Sequence, residues 1–209
     1  MSRALRQRKT QEGKQEILLK LLEHVSDDGT VSQARFADQI GIAKGLANAY
    51  FNRCLEKGWI KLQQIPRRRY LYYLTPVGFA EKTRLTALFL SHSYQFYREA
   101  RADLKATMAA AARDQHRRLG VLGCGELAEI AAIVSEECEI DIVGFVGKAG
   151  ERDTLAGRPV VSTWRELGGS EAALLATVDN ANGVYDDFRR AQPGVPTYVP
   201  KQLAGLIDG

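Results

Sequence analysis

Between Phe79 and Leu119 the chain contains neither proline nor glycine, and Thr75-Pro76 stands just ahead of that stretch. Thr is a favoured helix N-cap, and Pro suits the first helical position, where its missing N–H has no intrahelical partner in any case. Apolar positions at Leu85, Leu88, Phe89 and Phe96, then Tyr97, Leu104, Met108 and Ala111, recur at helical spacings with His92 among them. The pattern predicts one helix from Pro76 to about Arg113, ~35–38 residues long and spanning ~55 Å. A helix of that length cannot bury its own stripe. The helix is expected to run between two domains, and the same helix of a second copy is its expected partner, so a homodimer is expected.

Charge divides along the same line. Residues 1–118 carry 22 Lys/Arg against 11 Asp/Glu, whereas residues 119–209 carry 7 against 14. Clustered positive charge gains affinity for phosphates by releasing counterions, so the front half is expected to approach a polyanion and the back half is not.

With 209 residues, 45% of them hydrophobic, the chain is long enough for two small cores. No apolar run approaches the ~20 residues that span a bilayer, and the basic start lacks the apolar core of a signal peptide, so a cytoplasmic location is expected. Cys54, Cys124 and Cys138 are widely spaced, and His24, His92 and His116 stand alone. Neither a disulfide framework nor a metal site is expected.

Residues 1–10, with Arg3, Arg6, Arg8 and Lys9, show no hydrophobic period and are expected to form a basic disordered arm. From 12 to 25 the spacing of Ile17, Leu18, Leu21, Leu22 and Val25 predicts an amphipathic helix, broken by the sequence DDGT. Ser32 is a good N-cap for a short helix over 33–40, which Gly41 ends. A third helix is expected over about 43–57. "WIKL" (59–62) and "YLYYL" (70–74) then read as strands flanking a loop that carries Arg67, Arg68 and Arg69. Three helices and a basic hairpin make a winged helix-turn-helix over residues 11–75. In that geometry the third helix enters the major groove and the wing meets the backbone. Candidate DNA contacts are Ser32, Lys44, Gly45, Leu46, Asn48, Asn52, Arg67, Arg68 and Arg69, with Ala47 also expected at the surface. Tyr50, Phe51, Cys54 and Leu55 are expected to face the core. Lys pairs with guanine or phosphate and Asn with adenine, so Lys44 and Asn48 are the leading candidates for DNA contact.

The stretch SQARFADQIGIAKGLANAYFNRCLEKGWIKL, followed by YLYYLTPVGFAEKTRLTALFL, resembles the small MarR-like winged-helix regulators associated with exopolysaccharide gene clusters. The resemblance covers about residues 14–96. It implies a DNA-binding transcriptional regulator of polysaccharide or cell-surface genes. Ala43 departs from the Ser that often caps the recognition helix in that family.

Residues 76–116 are expected to link and to dimerise. Residues 117–209 alternate strand and helix signals, which argues for a small parallel, Rossmann-like α/β domain and so for an α/β two-domain chain. The expected strands are RLGVLG, IDIVGFVG, RPVVS, AALLATVDN and PTYVP, with helices ELAEIAAIVSEE and VYDDFRRAQ and a helical turn at TWREL. Gly123, Gly125 and Ala128 fit a G-x-G-x-x-A loop between the first strand and its helix, where a phosphate can approach the backbone and the helix N-terminus.

The acidic residue that holds a ribose in NAD-binding domains is expected after the second strand, and Gly147-Lys148 stand there instead. Residues 118–200 resemble the N-terminal domain of bacterial nucleotide-sugar acetyltransferases, through VLGCGELAEI, IVGFVG with LAGRPVVST, and ATVDN. The resemblance implies a uridine-nucleotide site at Gly123, Cys124, Gly125, Glu126, Lys148, Asp179 and Asn180. A UDP-sugar is thus favoured over NAD as effector, and no cofactor is required. Three functions compete: a ligand-sensing regulator, a redox-sensing repressor of the Rex type, and an enzyme with an appended DNA-binding domain. No constellation of catalytic side chains supports the last, so the chain is expected not to be an enzyme.

Overall fold

The computed structural model describes residues 3–29, 32–65, 69–147 and 152–207, with side chains from 13 onward apart from those at 65, 69 and 70. The chain divides into two compact units, Met1–Ser93 and Tyr94–Gly209.

In the first unit, helix α1 runs from Arg3 to Asp27. Residues 3–10, expected as a disordered arm, are therefore helical. The correction has a local cause: Ala4, Leu5, Arg6, Gln7, Arg8 and Lys9 are strong helix formers, and intrinsic propensity acts without any apolar period. Helix α2 occupies Gln33–Ile40, with the Ser32 side chain accepting from the Arg35 N–H and Gly41 in the left-handed conformation at φ 73°. Helix α3 follows at Lys44–Glu56. Strands β1 (Ile60–Ile65) and β2 (Arg69–Leu74) form an antiparallel hairpin, longer than its sequence signal, that pairs Ile60 with Leu74 and Ile65 with Arg69. The loop after α1 joins this sheet through the Tyr72 N–H, which donates to the Gly29 carbonyl at 2.8 Å.

The core of this unit is an apolar cluster from all these elements, including Leu21, Leu22, Phe36, Phe51 and Ile60. Its centre is a run of tilted and edge-on rings: His24 on Phe36 at 5.6 Å, Phe36 on Phe51 at 5.7 Å, and Phe51 on Tyr72 at 4.9 Å. Such ring pairs add to the burial that fixes α1, α2, α3 and the hairpin as one body.

Helix α4 spans Pro76–Arg113, and the division between the units falls inside it. The segment 76–116 is accordingly shared: Leu85 belongs to the first core, while Ala100, Leu104, Met108 and Ala111 belong to the second. On the part of the helix in the first unit Phe89 and Leu90 are exposed, and on the part in the second unit Tyr94, Phe96 and Tyr97 are exposed.

The second unit is built on a six-stranded sheet. Its strands are β3 (Arg118–Leu122), β4 (Asp141–Val146), β5 (Thr154–Leu155), β6 (Arg158–Val161), β7 (Ala172–Leu175) and β8 (Thr197–Tyr198), in spatial order β5-β6-β4-β3-β7-β8. Neighbours from β6 to β8 are parallel, as expected, but β5 is an antiparallel addition that the sequence pattern did not announce. Helix α5 occupies Glu126–Glu137, α6 Ala181–Ala191 and α7 Lys201–Ile207, with a single 3₁₀ turn at Trp164–Glu166. The all-apolar Ala172–Leu175 is buried along its whole length, as a central parallel strand requires.

Candidate nucleic-acid interface and ligand loop

The turn between α2 and α3 is three residues long, Gly41-Ile42-Ala43. The Ile42 N–H donates to the Ala37 carbonyl at 3.0 Å, closing α2, and the Ala43 carbonyl accepts from Leu46 and Ala47, opening α3. Ala43 sits at the N-cap position without a side-chain cap, so the first N–H groups of α3 have no serine or threonine over them.

Helical spacing sorts α3 into two faces. Ala47, Tyr50, Phe51 and Cys54 are buried. Lys44, Gly45, Leu46, Asn48, Ala49, Asn52 and Arg53 are exposed. Ala47, expected at the surface, is fully buried because it stands three and four residues before Tyr50 and Phe51, on the core stripe. Ala49 and Arg53 are surface positions that reading 44–48 as one exposed run passed over. The same period of three and four places Ala49 beside Leu46 and Asn52, and Arg53 beside Ala49.

Burial pushes the Cys54 thiol up to about 12 against the opposing charge of Arg53, so the thiol behaves as a small apolar group. At the start of α4, Arg84 makes a two-pronged contact to Glu81, both bonds at 2.8 Å, and this holds the Glu81 carboxyl below its usual range. Arg84 is thus committed within the protein. Lys44, Arg53, Lys57 and Lys61 are exposed, and none of them forms an ion pair with a described residue. Ser32 is exposed too, its oxygen engaged as the α2 cap at 3.2 Å from the Arg35 nitrogen. Arg67 and Arg68 lie outside the described residues, as does the side chain of Arg69.

In the second unit, chain order reverses at β3, whose neighbours are β4 on one side and β7 on the other. Gly123 follows β3 with φ at 123°, and a Cβ there would stand 2.6 Å from the Ala176 carbonyl oxygen and 3.0 Å from Thr177. The structure therefore brings Gly123 and the segment after β7 together. Thr177 is the residue at this junction that no sequence motif marked. Its hydroxyl donates to the Asp179 carbonyl at 3.2 Å.

Cys124 is buried against Gly147, where a Cβ would meet its sulfur at 2.5 Å, so the end of β4 closes on the same loop. Gly125 caps α5 with no side chain over it and open space within 4 Å of its Cβ position. Glu126 is exposed in the first turn, and Glu129 one turn on is paired with Arg152 at 2.7 Å. Asp179 and Asn180 are exposed, and Asn180 adopts the left-handed conformation at φ 50° to start α6. Lys148 lies outside the described residues. No cysteine forms a disulfide, and among the described residues no group of three metal-ligating side chains converges. No helix among the described residues is long and apolar enough to cross a membrane.

Among curated proteins, none matches the chain. Residues 14–61 match the winged helix-turn-helix DNA-binding family, and this span runs from within α1 through α3 to the start of β1. The N-terminal unit thus carries a winged helix-turn-helix DNA-binding domain, followed by a long helix and a largely parallel α/β region.

Proposed function

We propose that the chain is a cytoplasmic transcriptional regulator that binds double-stranded DNA as a homodimer and answers to a nucleotide-type effector held by its second unit. One observation carries the DNA part: the exposed face of α3 presents Lys44, Asn48, Asn52 and Arg53 from a three-residue turn inside the matched span. In this geometry the N-terminal part of the third helix meets base edges, and the surrounding cations neutralise phosphates. The reading assigns no catalytic step.

The dimer is supported by α4. Leu85 to Tyr97 contains no charged residue, yet Phe89, Leu90, Tyr94, Phe96 and Tyr97 are exposed there. The same helix of a second copy offers an equally uncharged apolar surface, and pairing also supplies a second recognition helix for a two-fold site. The effector is supported by the reversal of strand order at β3, since ligands of open α/β sheets bind outside the carboxyl ends of the strands at such a point. Gly125 leaves the backbone there accessible. The resemblance to nucleotide-sugar acetyltransferases favours a UDP-sugar over NAD, and that to the MarR-like regulators favours polysaccharide or cell-surface genes as targets.

The test is anisotropy of labelled duplex DNA with the full chain across a salt series. Expected is binding whose log K falls linearly with log salt, and weaker binding by Lys44→Ala and Arg53→Ala. Salt-independent or absent binding overturns the reading. A thermal-shift comparison of UDP-sugars, NADH and buffer then separates a UDP-sugar sensor, a redox sensor of the Rex type, and a unit that binds neither.

A further inference from the structure

The exposed face of α3 is chemically specific. Gly45, Asn48, Ala49 and Asn52 recur at three and four residues and so share one line along the helix. Lys44, one turn before Asn48, lies on one margin of that line. Leu46 and Arg53, three residues before and four after Ala49, lie on the other. The cations are at the edges and the two amides are in the middle.

Two features of this face are unexplained by the fold of the protein. Gly45 weakens a helix relative to alanine, and a Cβ at that position would meet nothing within 4 Å. Internal packing does not ask for glycine there, whereas a bare backbone admits a partner to close approach. Leu46 is 44% exposed although α3 has a well-filled apolar side of its own. An open leucine on the face that enters the groove has a role if it meets an apolar group on the partner.

Major-groove chemistry selects among the four base pairs. Asn bonds two-pronged to adenine N6 and N7, apolar side chains pack on the thymine methyl, and guanine is read by Arg or Lys. Glu56, whose carboxylate would accept from cytosine, stands in the last turn of α3, away from the N-terminal residues that meet base edges. We infer that α3 reads an A·T core: Asn48 and Asn52 bond adenine edges, Leu46 and Ala49 pack on thymine methyl groups, and Lys44 and Arg53 hold the flanking phosphates. The inference rests on the DNA-binding reading above and goes beyond it by naming the bases.

The experiment selects duplexes from a random pool with the full chain and then alters single atoms of the selected site. Expected is a consensus dominated by A·T pairs. Replacing a core thymine by uracil, which removes one methyl, should weaken binding about fourfold. Replacing a core adenine by 7-deazaadenine, or Asn48 by Ala, should weaken it roughly 5- to 150-fold while leaving binding to unrelated DNA nearly unchanged. Lys44→Ala should weaken binding to every sequence alike. A G·C consensus that is relaxed by Lys44→Ala or Arg53→Ala overturns this inference and leaves the DNA-binding reading standing. So does an A·T consensus indifferent to uracil and unaltered in both Asn48→Ala and Asn52→Ala. A pool from which no sequence is enriched, with no salt-dependent binding, overturns both.

Discussion

The Thr75 hydroxyl donates to the Gly58 carbonyl at 2.6 Å and in the same position accepts from the Gly78 N–H at 3.0 Å. One buried oxygen thus ends the segment after α3 and begins α4. Thr75→Val keeps the shape and removes both bonds, and should cost about 1–3 kcal/mol by leaving the Gly58 carbonyl and the first turn of α4 unsatisfied. Thr75→Ser should recover most of it. Urea denaturation followed by tryptophan fluorescence measures the difference, and equal stability of the three proteins would show that the cap contributes nothing.

The Tyr198 hydroxyl donates to Asp114 at 2.8 Å, so His116 Nδ1, also at 2.8 Å, carries the hydrogen that the Tyr198 oxygen accepts. Burial, reinforced by Asp114, raises the Tyr198 hydroxyl to about 12, above the ~10 of an unfolded tyrosine. The folded state holds the proton more tightly, so the contribution of this group is fully present below about pH 10 and is lost as pH rises toward about 12. Thermal melts across that window should fall more steeply for the native protein than for Tyr198→Phe. Parallel curves would remove Tyr198 as the titrating group.

One added methyl should be felt at Gly123 and not at Gly125. Gly123→Ala forces a side chain into a left-handed backbone against the Ala176 carbonyl, and should lose on the order of 1–3 kcal/mol. Gly125→Ala adds its methyl to open space with φ at −90°, and its fold should be unchanged. Gly125→Val should be equally well folded and should lose the thermal shift given by any UDP-sugar that stabilises the native chain, since the side chain stands where a phosphate would approach. Retention of that shift would place the ligand elsewhere.

The Asp103 carboxylate receives the N–H groups of Lys201 and Gln202 at 3.0 and 2.8 Å, capping α7 from α4. Asp103→Ala should cost about 0.5–2 kcal/mol and speed amide exchange across Lys201–Ile207 ahead of the β3 amides. Uniform exchange would mean that α7 is held by Leu203 and its apolar contacts alone.

Features written in local chemistry were legible from the sequence. Ser32 and Gly41 delimit α2, Thr75 and Pro76 open α4, and the bounds of α5 follow from the glycine loop and the apolar spacing of 127–134. What escaped is non-local. The cap of α7 comes from a residue 98 positions away, and the place of Thr177 beside Gly123 exists only because β3 and β7 pair across the sheet. Strand β5 has two residues, too few for any alternation to register. On α3 the exposure of Asn48 and Asn52 follows from their polarity, whereas the burial of Ala47 follows only from the helical turn that sets it below Tyr50 and Phe51.

The sheet of the second unit ends on strands of two residues each, Thr154–Leu155 at one side and Thr197–Tyr198 at the other. Pro159 stands in the strand beside the first edge, and Pro196 and Pro200 flank the second. Such stubs, the second of them flanked by prolines that withhold a donor, give an incoming strand almost no ladder to extend. Among the described residues, this sheet therefore offers little template for edge-to-edge growth or fibril-like stacking.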